Sequence, residues 1–296
     1  MLLLFDRRNN PDANRDLRTR TSRARLVYHK PTTSEDESSR PVSLASARPT
    51  AAVSMASKRS QSEFVRLVPT SASEVRRVED EKSAPCVLSA VNCASGIEIS
   101  GDRLTASSRL GYRSVRAVHG VHKGYFLFEV TVASLGETGA VRVGVQTQWA
   151  DLHGPVGMDQ HGYGVCSTTG NAVHDSVPKQ MGRRFGEGDV VGVAVFLPDA
   201  NAPRTRHREA VTWGGKLYWT QEPPAEEHAP VEGSFVEFYV NGASLGRFRN
   251  VKNGSYHPTV SLFTGEQRDP ARVRCEFIQP RFAYPPACEP WIEALR

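Results

Sequence analysis

Three groupings of residues in this 296-residue chain have types that do chemistry. The first is "RFGEGDVVGVAVFLPD", residues 184–199, where Gly186, Gly188 and Gly192 precede an apolar run. Glycine loops cradle phosphates when a strand leads in, a helix leads out and an acidic residue lies further on. Here the spacing is G-x-G-x-x-x-G, and a β-rich run, Val190 to Leu197, comes after the glycines. Gly186, Gly188 and Asp189 read instead as a turn, with Gly192 allowing a strand to pack closely. The second grouping is Cys166 with His161 or His174, the raw material of a thiol nucleophile. No Asn or Asp in a recognised context orients such a pair. The third is a pool of nine histidines and five cysteines (Cys86, Cys93, Cys166, Cys275 and Cys288). None forms an H-E-x-x-H or C-x-x-C spacing, so no metal site is expected. Glu98 and Asp102 flank a turn and read as solvated. These residues predict no enzyme and no cofactor, and odd, irregular cysteines suit reduced thiols.

The elements that would position any site begin near residue 81. Residues 1–80 carry 15 Lys and Arg against 10 Asp and Glu, while the remainder carries 22 of each. That first segment has no Ile, Trp or Cys, and only Phe5, Tyr28 and Phe64 as aromatics. Ordering a backbone costs about 1–2 kcal/mol per residue, and so little apolar surface does not offset it. A disordered Arg/Ser-rich tail over 1–80 is expected. Arg15, Arg18, Arg20, Arg23 and Arg25 make it a candidate arm for nucleosomal DNA, because mobile arginines neutralise phosphates without reading sequence. A solvated or import-signal tail is the alternative. "MLLLF" is shorter than the roughly 7–15 apolar residues of a secretory core, and no run approaches a membrane span.

After residue 81 the texture is short β-like runs joined by turn residues. In "YFLFEVTVASL" Phe126, Phe128, Val130 and Val132 fall on one face. In "SFVEFYVNGASLGRFRN" Val236, Phe238 and Val240 alternate with Phe235, Glu237 and Tyr239, and Asn241-Gly242 supplies a hairpin turn. No long 3.6-residue period occurs. The pattern predicts an all-β, bent antiparallel β-sandwich.

Several motifs, in order along the chain, carry a family resemblance. "EGDVVGVAVFLPD" and "VEFYVNG" resemble the SPRY domain, a jelly-roll protein-binding fold. "IEISGDRLTASSRLGYRSVRAVHGVHKGYFLFEVTV", "ADLHGPVGMDQHGYG", "VHDSVPKQMGRRFGEGDVVG" and the closing "PRFAYPP" are similar to the trithorax-group Ash-two-like family, Bre-type in yeast. Coverage runs from about residue 85 to 286. The resemblance implies a SPRY domain over 81–288, a family-type insertion at 199–232 and a short C-terminal extension at 289–296. It implies a nuclear, non-catalytic scaffold of COMPASS-type complexes, which methylate lysine four of histone H-three. Such a scaffold binds an acidic segment of a β-propeller partner and supports a separate SET-domain enzyme.

The family's partner-binding pocket maps onto Tyr112 in "GYRSVRA", Arg142 in "VRVGV" and Pro155 in "GPVG". Each has a plainer reading: Arg142 as a solvated strand residue, Tyr112 as core, Pro155 as a turn former. Met158 stands where the family has Tyr, and Cys166 where it has Arg, which removes one strong carboxylate contact. No cysteine precedes Cys86, so the zinc module of animal members is not expected. "ACEPWIEALR" offers two or three helical turns at most, so docking of the family's small dimeric helical subunit is expected to be reduced. Two other functions stay open: a SPRY adaptor of another pathway, such as a ubiquitin ligase, and a nucleic-acid-binding protein led by the arginine arm.

Overall fold

A computed structural model describes residues 2–4, 64–199, 201, 209–221, 229–265, 269–278, 281–284 and 289–290. Arg15, Arg18, Arg20, Arg23, Arg25, Cys288 and much of the 199–232 insertion lie outside them. In chain order the elements are β1 (Leu2–Leu4), β2 (Phe64–Pro69), α1 (Ala72–Lys82), β3 (Leu88–Cys93), β4 (Ile97–Ile99), β5 (Thr105–Ser108) and β6 (Arg113–Ala117). Next come β7 (Gly124–Ser134), β8 (Ala140–Gln146), β9 (Gly162–Cys166), β10 (Ala172–His174), β11 (Val177–Lys179) and β12 (Val190–Leu197). The chain continues through β13 (Ala210–Trp213), β14 (Lys216–Gln221), β15 (Phe235–Val240), β16 (Ala243–Arg249), β17 (His257–Phe263), β18 (Ala271–Glu276) and β19 (Glu289–Pro290).

Alternation decides the architecture. Strands with apolar residues at every second position must bury one face, and two such sheets bury theirs against each other. A seven-stranded sheet runs β11-β10-β9-β8-β17-β6-β3. A second sheet runs β16-β15-β12-β7-β18-β5-β4, with β19 added beside β7. Val141, Val143, Val145 and Val260 of the first pack against Phe126, Phe128, Val193 and Phe238 of the second. The expected sandwich is present, and Phe126, Phe128, Val130 and Val132 face its core.

The turns form where the residue types permit them. Asn241 and Gly242 have φ of 51° and 78° and close the β15–β16 hairpin, where only Asn, Asp or Gly sits easily. The 184–199 stretch is a turn feeding β12. Asp189 accepts from the Gly186 N–H at 2.8 Å and from the Asn241 amide at 2.7 Å. Gly188 has φ of 82°. The glycines therefore shape a turn.

β2 and α1 fill most of 64–82, the last part of the segment expected to be tail; apart from Leu2–Leu4, the residues before them lie outside the described ones. Ser71 caps the helix by accepting the Glu74 N–H at 3.2 Å. Glu81 fastens the far end: its carboxylate accepts from Ser89 Oγ at 2.6 Å and the Ala90 N–H at 2.7 Å, and pairs with Arg103. β2 pairs with β14, giving a small sheet of order β1-β2-β14-β13. Hydrogen bonds to the insertion hairpin and one buried carboxylate thus do what apolar surface does elsewhere. At the other end, Glu289–Pro290 lies parallel to Phe126 and Leu127 as a strand, and not as helix.

His257 of β17 donates its Nδ1–H to the Ala117 carbonyl at 3.1 Å. Burial first, then the charge of Arg116, push its pKa down to about 4. The unfolded imidazole protonates near pH 6.5, so this group's stabilisation is complete above that value and is lost as pH falls towards 4. We expect the urea midpoint to fall across pH 6.5 to 4, and the fall to be shallower in His257→Gln.

Candidate functional site

The seven-stranded sheet has two unlike faces. Residues facing the core are mainly valine, with leucine, alanine and tyrosine. The alternate positions face outward: Ser114 on β6, Arg142 and Gly144 on β8, Gly164 and Cys166 on β9, Ser261 and Phe263 on β17. Across the ladder Arg142 lies opposite Cys166 on one side and Ser261 on the other. The loop between β8 and β9 folds back over this outer face.

Two features let that loop lie flat. Gly164 has no side chain; a Cβ there would come within 2.7 Å of Val156 Cγ1 and 3.0 Å of its carbonyl. Two buried hydroxyls then staple the loop down. The Ser114 hydroxyl donates to the Gly154 carbonyl at 2.6 Å. Ser114 and Ser261 hydroxyls are 2.7 Å apart, and the Val156 N–H donates to Ser261 Oγ at 2.8 Å. Since the one Ser114 hydrogen goes to Gly154, Ser261 is the donor between the two serines. The relay has one direction and leaves no member unsatisfied.

The loop and sheet together frame the predicted pocket. The Arg142 guanidinium lies 5.4 Å from the centroid of the Tyr112 ring, a cation–π distance. Tyr112 rests in turn on Phe263, with centroids 5.1 Å apart. Arg142 Nη1 reaches the Val156 carbonyl only at 3.5 Å, and its Nε is buried with no hydrogen-bond partner. The guanidinium is stacked on the ring, and its Nε donor is left unused. Burial, and after it the adjacent Cys166, raises the Tyr112 hydroxyl pKa, so it remains a neutral phenol. The Cys166 thiol is 3.2 Å from the Thr168 hydroxyl. Burial pushes that thiol up, but hydrogen bonds from Thr168 and Thr169, with the charge of Arg142, outweigh it and lower its pKa.

The structure therefore brings Tyr112, Arg142 and Cys166 together. Arg142 is half-buried and stacked, which sets aside the solvated-face reading. Tyr112 sits outside the inner core, on the outer face. Pro155 is half-buried in the loop, and its carbonyl accepts the Met158 N–H at 3.0 Å, so the turn-former reading also holds. Met158 is 40% exposed and covers Gly154, whose Cβ would meet its Cε at 2.2 Å. Ser114, Ser261, Gly164 and Phe263 carry no functional signature in the sequence. Serines and glycines at alternate strand positions are their one available signal. The Cys166–His174 pairing fails on geometry: His174 stacks on the core residue Tyr163, with centroids 4.0 Å apart, on the opposite face of the sheet. Among the described residues no group of three His, Cys, Asp or Glu is arranged around a metal position. A wider cleft of about 710 Å³ opens beyond the loop, between α1 and residues 148–153, with Arg116, Trp149 and His257 in its wall.

A bent sandwich with a loop-framed pocket on one sheet defines a class, and residues 125–199 match the SPRY domain model. The chain is 32% identical to the Set1/Ash2 histone methyltransferase complex subunit ASH2 of Drosophila melanogaster, over 65% of this chain and 35% of that protein. It is 30% identical to the corresponding subunit ash-2 of Caenorhabditis elegans, over 56% of this chain and 32% of that one. It is 28% identical to the Set1 complex component ash2 of Schizosaccharomyces pombe, over 55% of this chain and 32% of the other. The chain spans about a third of the length of these curated relatives.

Gly164→Ala should force the loop off the sheet. Overpacking of this kind costs about 1–3 kcal/mol. Equilibrium urea unfolding should show the loss, and Gly101→Ala, in open space and at an ordinary φ, should show no such steric cost.

Proposed function

We propose that this chain is the non-catalytic SPRY subunit of a COMPASS-type histone H-three lysine-four methyltransferase complex, acting in the nucleus. Its pocket receives an acidic segment of a β-propeller partner, and the pair supports a SET-domain enzyme. One observation carries the reading: a guanidinium stacked on Tyr112, with a buried Nε donor unused, in a chain similar to ASH2 subunits. A carboxylate offered to Arg142 gains a charge-assisted, forked hydrogen bond without having to break a strong existing one. Tyr112 contributes a neutral hydroxyl and a rigid wall. Pro155 and Met158 form the loop-side wall, and the Met thioether adapts to irregular shapes where a ring would fix one. Cys166 replaces a permanent cation with a thiol, so Arg142 carries the attraction alone.

The relatives are named as subunits of a complex and none as an enzyme, which supports the scaffold role. An arm bearing Arg15, Arg18, Arg20, Arg23 and Arg25 would add sequence-blind attraction to nucleosomal DNA.

Isothermal titration of the full chain with an Asp/Glu-rich peptide tests the pocket. A charge-assisted bond is worth about 1.5–3 kcal/mol, so Arg142→Ala should weaken binding roughly 10- to 100-fold. Equal affinity of the variant would overturn the assignment. Restoring the family's arginine with Cys166→Arg should tighten binding.

A further inference from the structure

A second cavity, of about 390 Å³, opens on the other layer, at the outer face of the sheet containing β7 and β12. Gly192 supplies part of its wall without a side chain, and Leu127 and Tyr239 flank it. Tyr284 stands at the rim, 43% exposed, against Gly242, where a Cβ would approach its ring to 3.0 Å. The sole charged side chain among the described lining residues is Glu129, only 4% exposed.

Glu129 is incompletely compensated. Its two oxygens accept the N–H groups of Ala283 and Tyr284 at 2.6 and 2.9 Å. Its cross-strand partner is Glu276, of like charge. Among the described residues no Lys or Arg forms an ion pair with it. Burial raises its pKa despite both N–H groups, and Glu276 adds to the rise. A buried carboxylate is normally paired with a cation. Here the place for one is an open cavity beside two tyrosines.

We infer that this cavity is a binding site for a cationic side chain, an arginine presented by a protein partner. Glu129 is the counter-ion, with free lone pairs on both oxygens, and Tyr239 and Tyr284 supply aromatic surface. Arginine fits better than lysine because a planar, weakly hydrated guanidinium forks onto a carboxylate and stacks on rings. Burial, then Tyr125 and Glu237, hold the Tyr239 hydroxyl well above its ordinary pKa, so no second negative charge arises there. The site lies on the layer opposite the Arg142 pocket and does not depend on that pocket's role.

The test titrates N-acetyl-arginine amide into the isotope-labelled full chain, with N-acetyl-citrulline amide as the uncharged control. At probe concentrations of roughly ten millimolar, suited to so small a ligand, the amides of Glu129, Tyr239 and Tyr284 should shift saturably with arginine and not with citrulline. Tyr284→Ala, at an exposed position, and Glu129→Gln should each weaken the arginine probe at least about five-fold. Should Glu129→Gln fail to fold, Tyr284→Ala decides. Equal shifts from citrulline, no shift with arginine, or undiminished affinity in Tyr284→Ala would overturn the site.

Discussion

An irregular loop can lie on a β-sheet only where its own polar groups find partners and the sheet offers no side chains in the way. The Ser114–Ser261 hydroxyl pair and Gly164 meet both conditions on the outer face of one layer. Ser261 accepts the loop's Val156 N–H, Ser114 satisfies its Gly154 carbonyl, and the missing Cβ of Gly164 leaves room for Val156. The pocket depends on this arrangement. Pro155 and Met158 reach their positions because the loop is stapled, and Arg142 turns towards Tyr112 beside the Val156 carbonyl. Buried hydroxyls left without partners would be costly, so the relay fixes one geometry where a purely apolar contact would permit several.

The pockets on the two outer faces of the sandwich carry charges of opposite sign. One presents a half-buried guanidinium whose Nε donor is unused. The other presents a buried carboxylate that pairs with no Lys or Arg among the described residues. The core between them is built mainly of valine and phenylalanine. A scaffold of this kind separates two jobs: the valine and phenylalanine layers hold the strands, and the alternate positions are released for recognition.

Much of the sandwich was legible in the sequence, because alternation is a local property. Phe126, Phe128, Val130 and Val132 declare their shared face within seven residues, and Asn241-Gly242 declares its turn in two. The glycines at 186, 188 and 192 were distinguishable from a phosphate loop because they lead into a strand, Val190–Leu197, where a phosphate loop leads into a helix. The site was less legible. Ser114 and Ser261 are 147 residues apart, and no short-range pattern pairs them. Tyr112 and Arg142 came from resemblance, since an arginine on an alternating strand reads equally well as a solvated one. β2 and α1 were hidden by averaging composition over eighty residues. Their order rests on long-range partners, Glu81 to Ser89 and Arg103 and β2 to β14, which composition does not register.

The β2–β14 pairing has a consequence for how such a chain can vary. The backbone ladder of the insertion hairpin is closed by the segment before α1, not by either layer of the sandwich. Among the described residues, the strands of the core make no hydrogen-bond ladder with it. The annexe is therefore a separable module: the front segment and the mid-chain hairpin can lengthen, shorten or disappear as a matched pair while the two main sheets keep their register. Loss of one alone would leave the other with an open edge, the kind of surface on which chains aggregate.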